Sequence, residues 1–260
     1  MIELGEANTL AELIEATHNA EKKFDGQLWF RGQAQSDWQL KPGAHRREPI
    51  LESQFANHFR LRAPSLAANC PEHKDYISWL PLMQHYGLPT RLLDWTESLL
   101  VAAFFALLPK STESSSAAIW LLAPGKLNEQ QGGFFIPFLA DYRVEPLVID
   151  AFSGRPPNPE NQYSIAVFAP RKDKRMVAQL GNYTLHGSRE SLETHPESSQ
   201  FLARILIPAT SHNKIRADLS VSGMRFSSLF PDLASLAQEV SELTTFDVDG
   251  KDLESDSADG

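Results

Sequence analysis

Gln84-His85-Tyr86-Gly87-Leu88-Pro89-Thr90-Arg91-Leu92-Leu93-Asp94-Trp95-Thr96 runs directly into the apolar stretch Glu97 to Leu108, and this junction decides how the chain is read. His85 and Tyr86 sit where a helix should end, because Gly87 supplies a stop and Pro89 makes the following backbone rigid. The residues up to Thr96 then read as extended. The stretch beyond carries Leu99, Leu100, Val101, Phe104, Phe105 and Leu107 on every side, which marks a buried helix, and Pro109 stops it. Asp94, with Glu97 three residues on, fits a capping box for that helix and fits a ligand-binding carboxylate equally well. Polar and charged side chains crowd Gln84 to Thr96 more densely than a turn requires, so the same stretch is the first candidate for a site.

Toward the N-terminus, Thr9-Leu10-Ala11-Glu12 is a capping box that opens a helix on Leu10, Leu13 and Ile14 and ends near Phe24, where Asp25-Gly26 turns the chain. Leu28 to Arg31 predicts a short strand stopped by Gly32. Leu51, Phe55 and Phe59 predict a helix from Ile50 to Leu61, and Tyr76, Ile77, Leu80 and Met83 another before Gly87, kinked or restarted by Pro81. Strands are expected at Ala117 to Ala123, Val144 to Ile149, Ser164 to Phe168, Asn182 to His186 and Phe201 to Ile207. Two helices close the chain, His212 to Val221 and Pro231 to Leu243, the latter with Pro231 at a favoured first position. Helices dominate the first half and strands the second, without regular βαβ alternation. The expectation is an α+β fold: a single domain over residues 1–246, helices mainly in its first half, around a mixed or antiparallel sheet.

Composition excludes several classes. The chain has 260 residues, 42% hydrophobic and 22% charged, which is ordinary for a globular protein able to bury a core without disulfide or metal support. Of the net charge of −9, six acidic residues against Lys251 place −5 between Asp247 and Gly260 and leave −4 elsewhere. That stretch, 247–260, reads as an acidic disordered tail, since it has almost no apolar residue with which to offset the entropy of ordering. A mildly acidic body gives no broad basic face; Arg46-Arg47 and Arg171-Lys172 with Lys174-Arg175 are the basic clusters, so nucleic acid remains a partner only through local contacts. A single cysteine, Cys70, argues against a secreted disulfide framework. The start of the chain lacks the pattern of a signal peptide, and the apolar run Leu99 to Leu108 is about half a membrane span. The expectation is a cytoplasmic protein with no membrane association. The eight histidines are scattered and no paired Cys or His spacing suggests zinc, so no metal is expected.

Trp29-Phe30-Arg31-Gly32-Gln33, the block Gln84 to Thr96, and Ser227-Ser228-Leu229-Phe230-Pro231-Asp232-Leu233 together resemble the FRG-domain family, and Arg175 to Gln179 with Gly181 and Tyr183 fits its weaker central motif. The resemblance spans Trp29 to about Val240. The arrangement is similar, by pattern and at fold level, to a divergent ADP-ribosyltransferase. That similarity implies a split sheet, NAD as cofactor, and an arginine ending an early strand that contacts the phosphates or ribose. It further implies a second strand of small hydroxyl residues leading into a helix, and a later glutamate that stabilises the cationic ribosyl transition state. Arg31 would take the first role, Thr90 or Thr96 the second, and Gln179 stands near the glutamate position, with Asp94 and Glu145 as substitutes.

The implied catalytic set is therefore Arg31, Asp94, Thr96 and Gln179, and the implied ligand-binding set is Gly32, Gln33, His85, Tyr86, Thr90, Arg91, Trp95, Arg175 and Tyr183. An Arg fork suits phosphate, Gly32 would let a ligand approach the backbone, and the helix start at Thr96 would favour an anion. Each residue also has a structural reading. Arg31 pairs with a buried acid such as Asp94, Arg91 stacks on Trp95 or Trp29, and His85 complements a helix dipole. Two functions follow. One is an NAD-dependent transferase or glycohydrolase passing ADP-ribose to a protein, nucleic acid or water, an activity suited to a toxin or to phage defence. The other is a non-catalytic module that senses a nucleotide or docks a partner protein.

Overall fold

Thr9 caps the first helix, its hydroxyl accepting from the Glu12 N–H at 3.1 Å while Glu12 reaches back to the Asn8 N–H at 2.6 Å. Helix α1 (Leu10–Phe24) ends at Asp25, which takes the left-handed conformation at φ 52°. This computed structural model describes residues 1–108, 115–133, 135–155, 158–171 and 173–248. The acidic tail falls largely on residues outside those described.

Seven strands form one mixed sheet: β1 (Ile2–Glu6), β2 (Trp29–Gln33), β3 (Leu92–Thr96), β4 (Ala117–Leu122), β5 (Ser164–Val167), β6 (Gly181–His186) and β7 (Leu202–Ile207). Their order is β1-β7-β4-β2-β3-β6-β5, with β1 parallel to β7 and every other pair antiparallel. The fold is α+β, as the absence of βαβ alternation predicts. Around the sheet lie α2 (Pro49–Arg62), α3 (Tyr76–His85), α4 (Leu99–Leu107), α5 (Pro124–Glu129), α6 (Glu145–Ser153), α7 (Lys174–Ala178), α8 (His212–Val221), α9 (Phe226–Leu229) and α10 (Leu233–Val248).

The sheet carries two cores. One joins β2, β4 and β7 to Leu13 and Phe24 of α1, Ala102, Ala103 and Ala106 of α4, and Ile215 and Leu219 of α8. The other joins Leu92, Val167, Tyr183 and Leu185 of β3, β5 and β6 to Trp79 and Leu80 of α3 and Leu147, Val148 and Ala151 of α6. No helix among the described residues is long and apolar enough to cross a membrane.

Several expectations are corrected. Val144 to Ile149 is not a strand: α6 begins at Glu145, with Pro146 in its first turn, and buries Leu147, Val148, Ala151 and Phe152 at helical spacing. Its short apolar run fits either period, and the buried stripe continues past it. Gly32 does not stop β2, since it pairs with Ile119. Pro81 does not restart α3, which runs through it. The cap of α4 is Ser98, whose hydroxyl accepts from the Val101 N–H, whereas Asp94 lies in mid-strand. Pro231 does not open α10; that helix starts two residues later, with Asp232 accepting from the Ser235 N–H at 2.8 Å. Strand β1 and helices α5 and α7 carry no sequence signal recognised above.

Helix and strand approach each other closely at Gly32. A Cβ there would overlap the backbone of Ala102 and Ala106, so α4 lies on β2 only because the side chain is missing. Gly32→Ala is expected to lower stability by about 1–3 kcal/mol in urea unfolding, as overpacking does. Gly125→Ala, where nothing lies within 4 Å of the added atom, should change it little.

Candidate active site

Strands β2 and β3 share a single register pair, Phe30 with Thr96, and then part. The Arg31 side chain bridges the opening, donating from Nη1 to the Asp94 carbonyl at 2.8 Å, with the Asp94 carboxylate 3.9 Å away. Gln84, at the end of α3, holds that carboxylate through Nε2 at 2.8 Å and accepts from the Thr90 hydroxyl at 2.5 Å. Thr90 Oγ1 in turn accepts from the Leu92 N–H. The polar density of Gln84 to Thr96 thus becomes one relay, Thr90 to Gln84 to Asp94 to Arg31, across the split.

The parted strands frame a cleft of about 380 Å³. Its walls are Arg31, Gly32 and Gln33 from β2; Asp94, Trp95 and Thr96 from β3; Val101, Ala102 and Phe105 from α4; and Arg175, Met176 and Gln179 from α7 and the residue after it. Phe30, Ala34, Trp38, Arg46, Gln84, His85 and Tyr183 also line it. A second hollow of about 440 Å³ shares Arg31, Arg46, Gln84 and Asp94 with the first and adds Thr90 and Pro89.

Most of the proposed residues meet here, with their neighbours fixed. Thr96 donates to the Gln179 carbonyl at 2.6 Å, and Gln179 Nε2 donates to the Leu229 carbonyl at 3.0 Å. Leu180, next in the chain, holds φ 48° while its carbonyl accepts from the Glu97 N–H. The Arg175 guanidinium lies 4.3 Å over the Phe230 ring. Trp95 donates to Thr184 and Gln33 accepts from Trp120, both buried. Glu145 opens α6 and does not line the cleft.

Other residues are placed elsewhere. Arg91 is buried, with Nε and Nη2 on the two oxygens of Glu52 at 3.0 and 2.7 Å and Nη1 on the Leu147 carbonyl at 2.9 Å. Its fork ties the approach to β3 to α2 and α6 and stacks on no tryptophan. Tyr86 is 65% exposed and lies outside the cleft. Gly32 lines the cleft, but the space beside its Cα is filled by α4, so it admits a helix rather than a ligand. Gln84, Arg46, Trp38, Phe105 and Met176 line the cleft without having been singled out. Gln84 opens the dense polar block and Arg46 belongs to a basic pair, which were the available signals.

Three arginines face one carboxylate. Asp94 is the sole acid among the described cleft residues. Burial lowers the Arg31 pKa, Asp94 opposes this, and the charge on Arg46 adds to the lowering. Arg31 Nε is buried without a hydrogen-bond partner. Burial raises the Tyr183 pKa, with help from the charges on Asp94 and Asp173.

Residues 26–115 match the family model of the FRG domain. This stretch is an FRG domain. The match takes in β2, the bridging Arg31 and the whole of Gln84 to Thr96, so the relay across the split lies within the FRG domain. The cleft wall from Arg175 to Tyr183 and the Ser227 to Leu233 motif lie beyond the matched residues. No curated protein and no solved structure matches the chain.

His45 and His186 lie buried near Arg91, their rings 6.4 Å apart. Burial first, then the charges of Arg91 and Arg189, bring the His45 pKa down from 6.5 to about 3, and burial holds His186 well below the ordinary value. Both are neutral in the folded state and take up protons more readily when unfolded. Stability is therefore fully present above pH about 6.5 and is lost as pH falls toward 3, by up to about 1.4 kcal/mol per pH unit for each histidine. Urea melts from pH 7 to 4 should show this decline, and His45→Gln should flatten part of it.

Proposed function

We propose that the cleft binds NAD and that the FRG domain, with the wall beyond it, forms an ADP-ribosyltransferase-like site that cleaves the nicotinamide–ribose bond. The acceptor of ADP-ribose is a protein, a nucleic acid or water. One observation carries the reading: Arg31, with a buried unpartnered Nε, stands with Arg46 where two hollows meet. Two cations at a junction with one carboxylate between the two hollows call for an anion, and guanidinium forks favour phosphate. A diphosphate there would leave one half of a dinucleotide for each hollow, and the volumes fall within the usual range for ligand sites.

The chemistry follows from the same residues. Leaving of nicotinamide builds positive charge on the ribose, and a fixed carboxylate stabilises that charge most where water is excluded. Asp94 is the group able to do this, held in place by Gln84. Gln179 is neutral and its amide nitrogen is engaged by Leu229, so its part is to position Thr96. A second reading, a module that senses a nucleotide without turning it over, is favoured by Asp94 already facing Arg31 and Gln84.

NAD at about a hundred times its dissociation constant adds roughly 2.7 kcal/mol, which raises the melting temperature by about 5–10 °C for a domain of this size. The wild type is expected to shift so, and Arg31→Ala and Arg46→Ala to lose most of the shift. Arg46→Ala leaves the bridge to Asp94 intact and so separates ligand binding from sheet stability. No shift of the wild type at millimolar NAD overturns the reading, and a shift without nicotinamide release selects the sensing module.

A further inference from the structure

The end of α3 and the start of α7 meet at a histidine–carboxylate pair that the cleft reading above leaves without a task. His85 Nδ1 lies 3.2 Å from Asp173 Oδ2. Asp173 is also the N-cap of α7, where its other oxygen, Oδ1, accepts from the N–H groups of Arg175 at 2.7 Å and Met176 at 3.2 Å. One carboxylate thus has both oxygens assigned, one to the helix and one to the imidazole. A carboxylate beside Nδ1 keeps the proton on that nitrogen, and the neutral ring then presents a lone pair at Nε2. His85 lines the cleft, its side chain about one-third exposed, and none of the described residues supplies a hydrogen-bond partner to Nε2.

We infer that His85 is the general base of the transfer step, with Asp173 as its positioning residue. The inference rests on the NAD reading and names the group that reading lacks, a proton acceptor for the incoming nucleophile. The C1′–N bond of NAD breaks and nicotinamide leaves with the bonding electron pair. A hydroxyl or water oxygen forms the new bond to C1′, and its proton passes to His85 Nε2 and then to solvent. The positive charge of the nicotinamide ribosyl group ends as the released proton, so the step balances without an oxidant or reductant.

The groups around the imidazole come from several elements. Asp173 and Arg175 belong to α7 and its cap, Tyr183 to β6, and Asp94 to β3. Arg31 on β2 lies across the cleft, and Asp75, Tyr86 and Cys70 border the groove of about 440 Å³ on the other side of His85. Tyr183, its pKa raised by burial, stays protonated in the neutral range and does not compete as a base. Asp94 is occupied by Gln84 and Arg31.

The test is nicotinamide release from NAD, with water as acceptor, between pH 5 and 8, alongside the NAD-induced melting shift of the same samples. Only a neutral base accepts a proton, so a reaction that uses one should fall in rate toward acid in the wild type. His85→Gln should keep the melting shift, lose about 10²–10⁴-fold in rate, and show no such fall. Asp173→Asn retains an oxygen that caps α7 but not the carboxylate at Nδ1, and should lose rate by less while keeping the NAD shift. If His85→Gln releases nicotinamide at the wild-type rate with the same pH profile, the base is not His85 and the NAD reading stands. If the wild type neither shifts with NAD nor releases nicotinamide, the NAD reading fails and the assignment of His85 fails with it.

Discussion

The pairing of β2 with β3 at Phe30 and Thr96 alone is the constraint on which the rest depends. A continuous ladder would have used the backbone groups of both strands on each other and left a flat, filled sheet. The strands part instead, and the Asp94 carbonyl is met by a guanidinium rather than by an N–H of the neighbouring strand. Buried backbone groups need partners. A side chain that supplies one at a gap joins the sheet and faces the opening at once. Arg31 is therefore a structural cross-link whose side chain also lines the cleft.

The cleft is held open by contacts on its far walls. Helix α4 can lie on β2 because Gly32 has no side chain, and this brings Val101, Ala102 and Phe105 to the cleft edge. Opposite, the corner Gln179-Leu180-Gly181 is fixed by Thr96 and Glu97 on its carbonyls, with Leu180 in a conformation costly for a branched side chain. The Arg91–Glu52 pair sits deeper and answers to packing alone, since its nitrogens and the Leu147 carbonyl are mutually satisfied. Two arginines of the matched stretch, Arg31 and Arg91, thus serve different ends, and their neighbours in space distinguish them.

Much of this was legible in the sequence where the signal is local. Thr9, Asp25 and the uniformly apolar run after Ser98 fix helix boundaries by capping and period, and β4 and β7 announce themselves by their apolar residues. What failed was what depends on distant partners. Val144 to Ile149 has too few apolar residues to reveal its period, and becomes helical because Leu147 and Ala151 face the same core. Gly32 looked like a stop or a ligand approach because nothing in its own neighbourhood mentions α4, some seventy residues on. At the site, the family block contains Asp94 and Thr96, and both line the cleft. Gln84, Arg46 and the His85–Asp173 pair become visible only when α3, α7 and the loop after β2 are brought together.

The outer half of the sheet carries a consequence for how the chain comes to be made. Strand β1 lies on β7, with Ile2 beside Ala203, and β4 lies between β2 and β7. During synthesis β4, the run Ala117–Leu122, emerges well before β7 and has until then one side unpaired. Six consecutive apolar residues with open backbone groups are a template for pairing with another chain. Closing so long a loop is also slow, because the ordering entropy is lost before the contacts form. A nascent chain that pairs β4 with β2 before β7 is made exposes that edge. A chaperone holding that edge, or rapid completion of the last strand, would decide the yield of folded protein more than the stability of the finished fold.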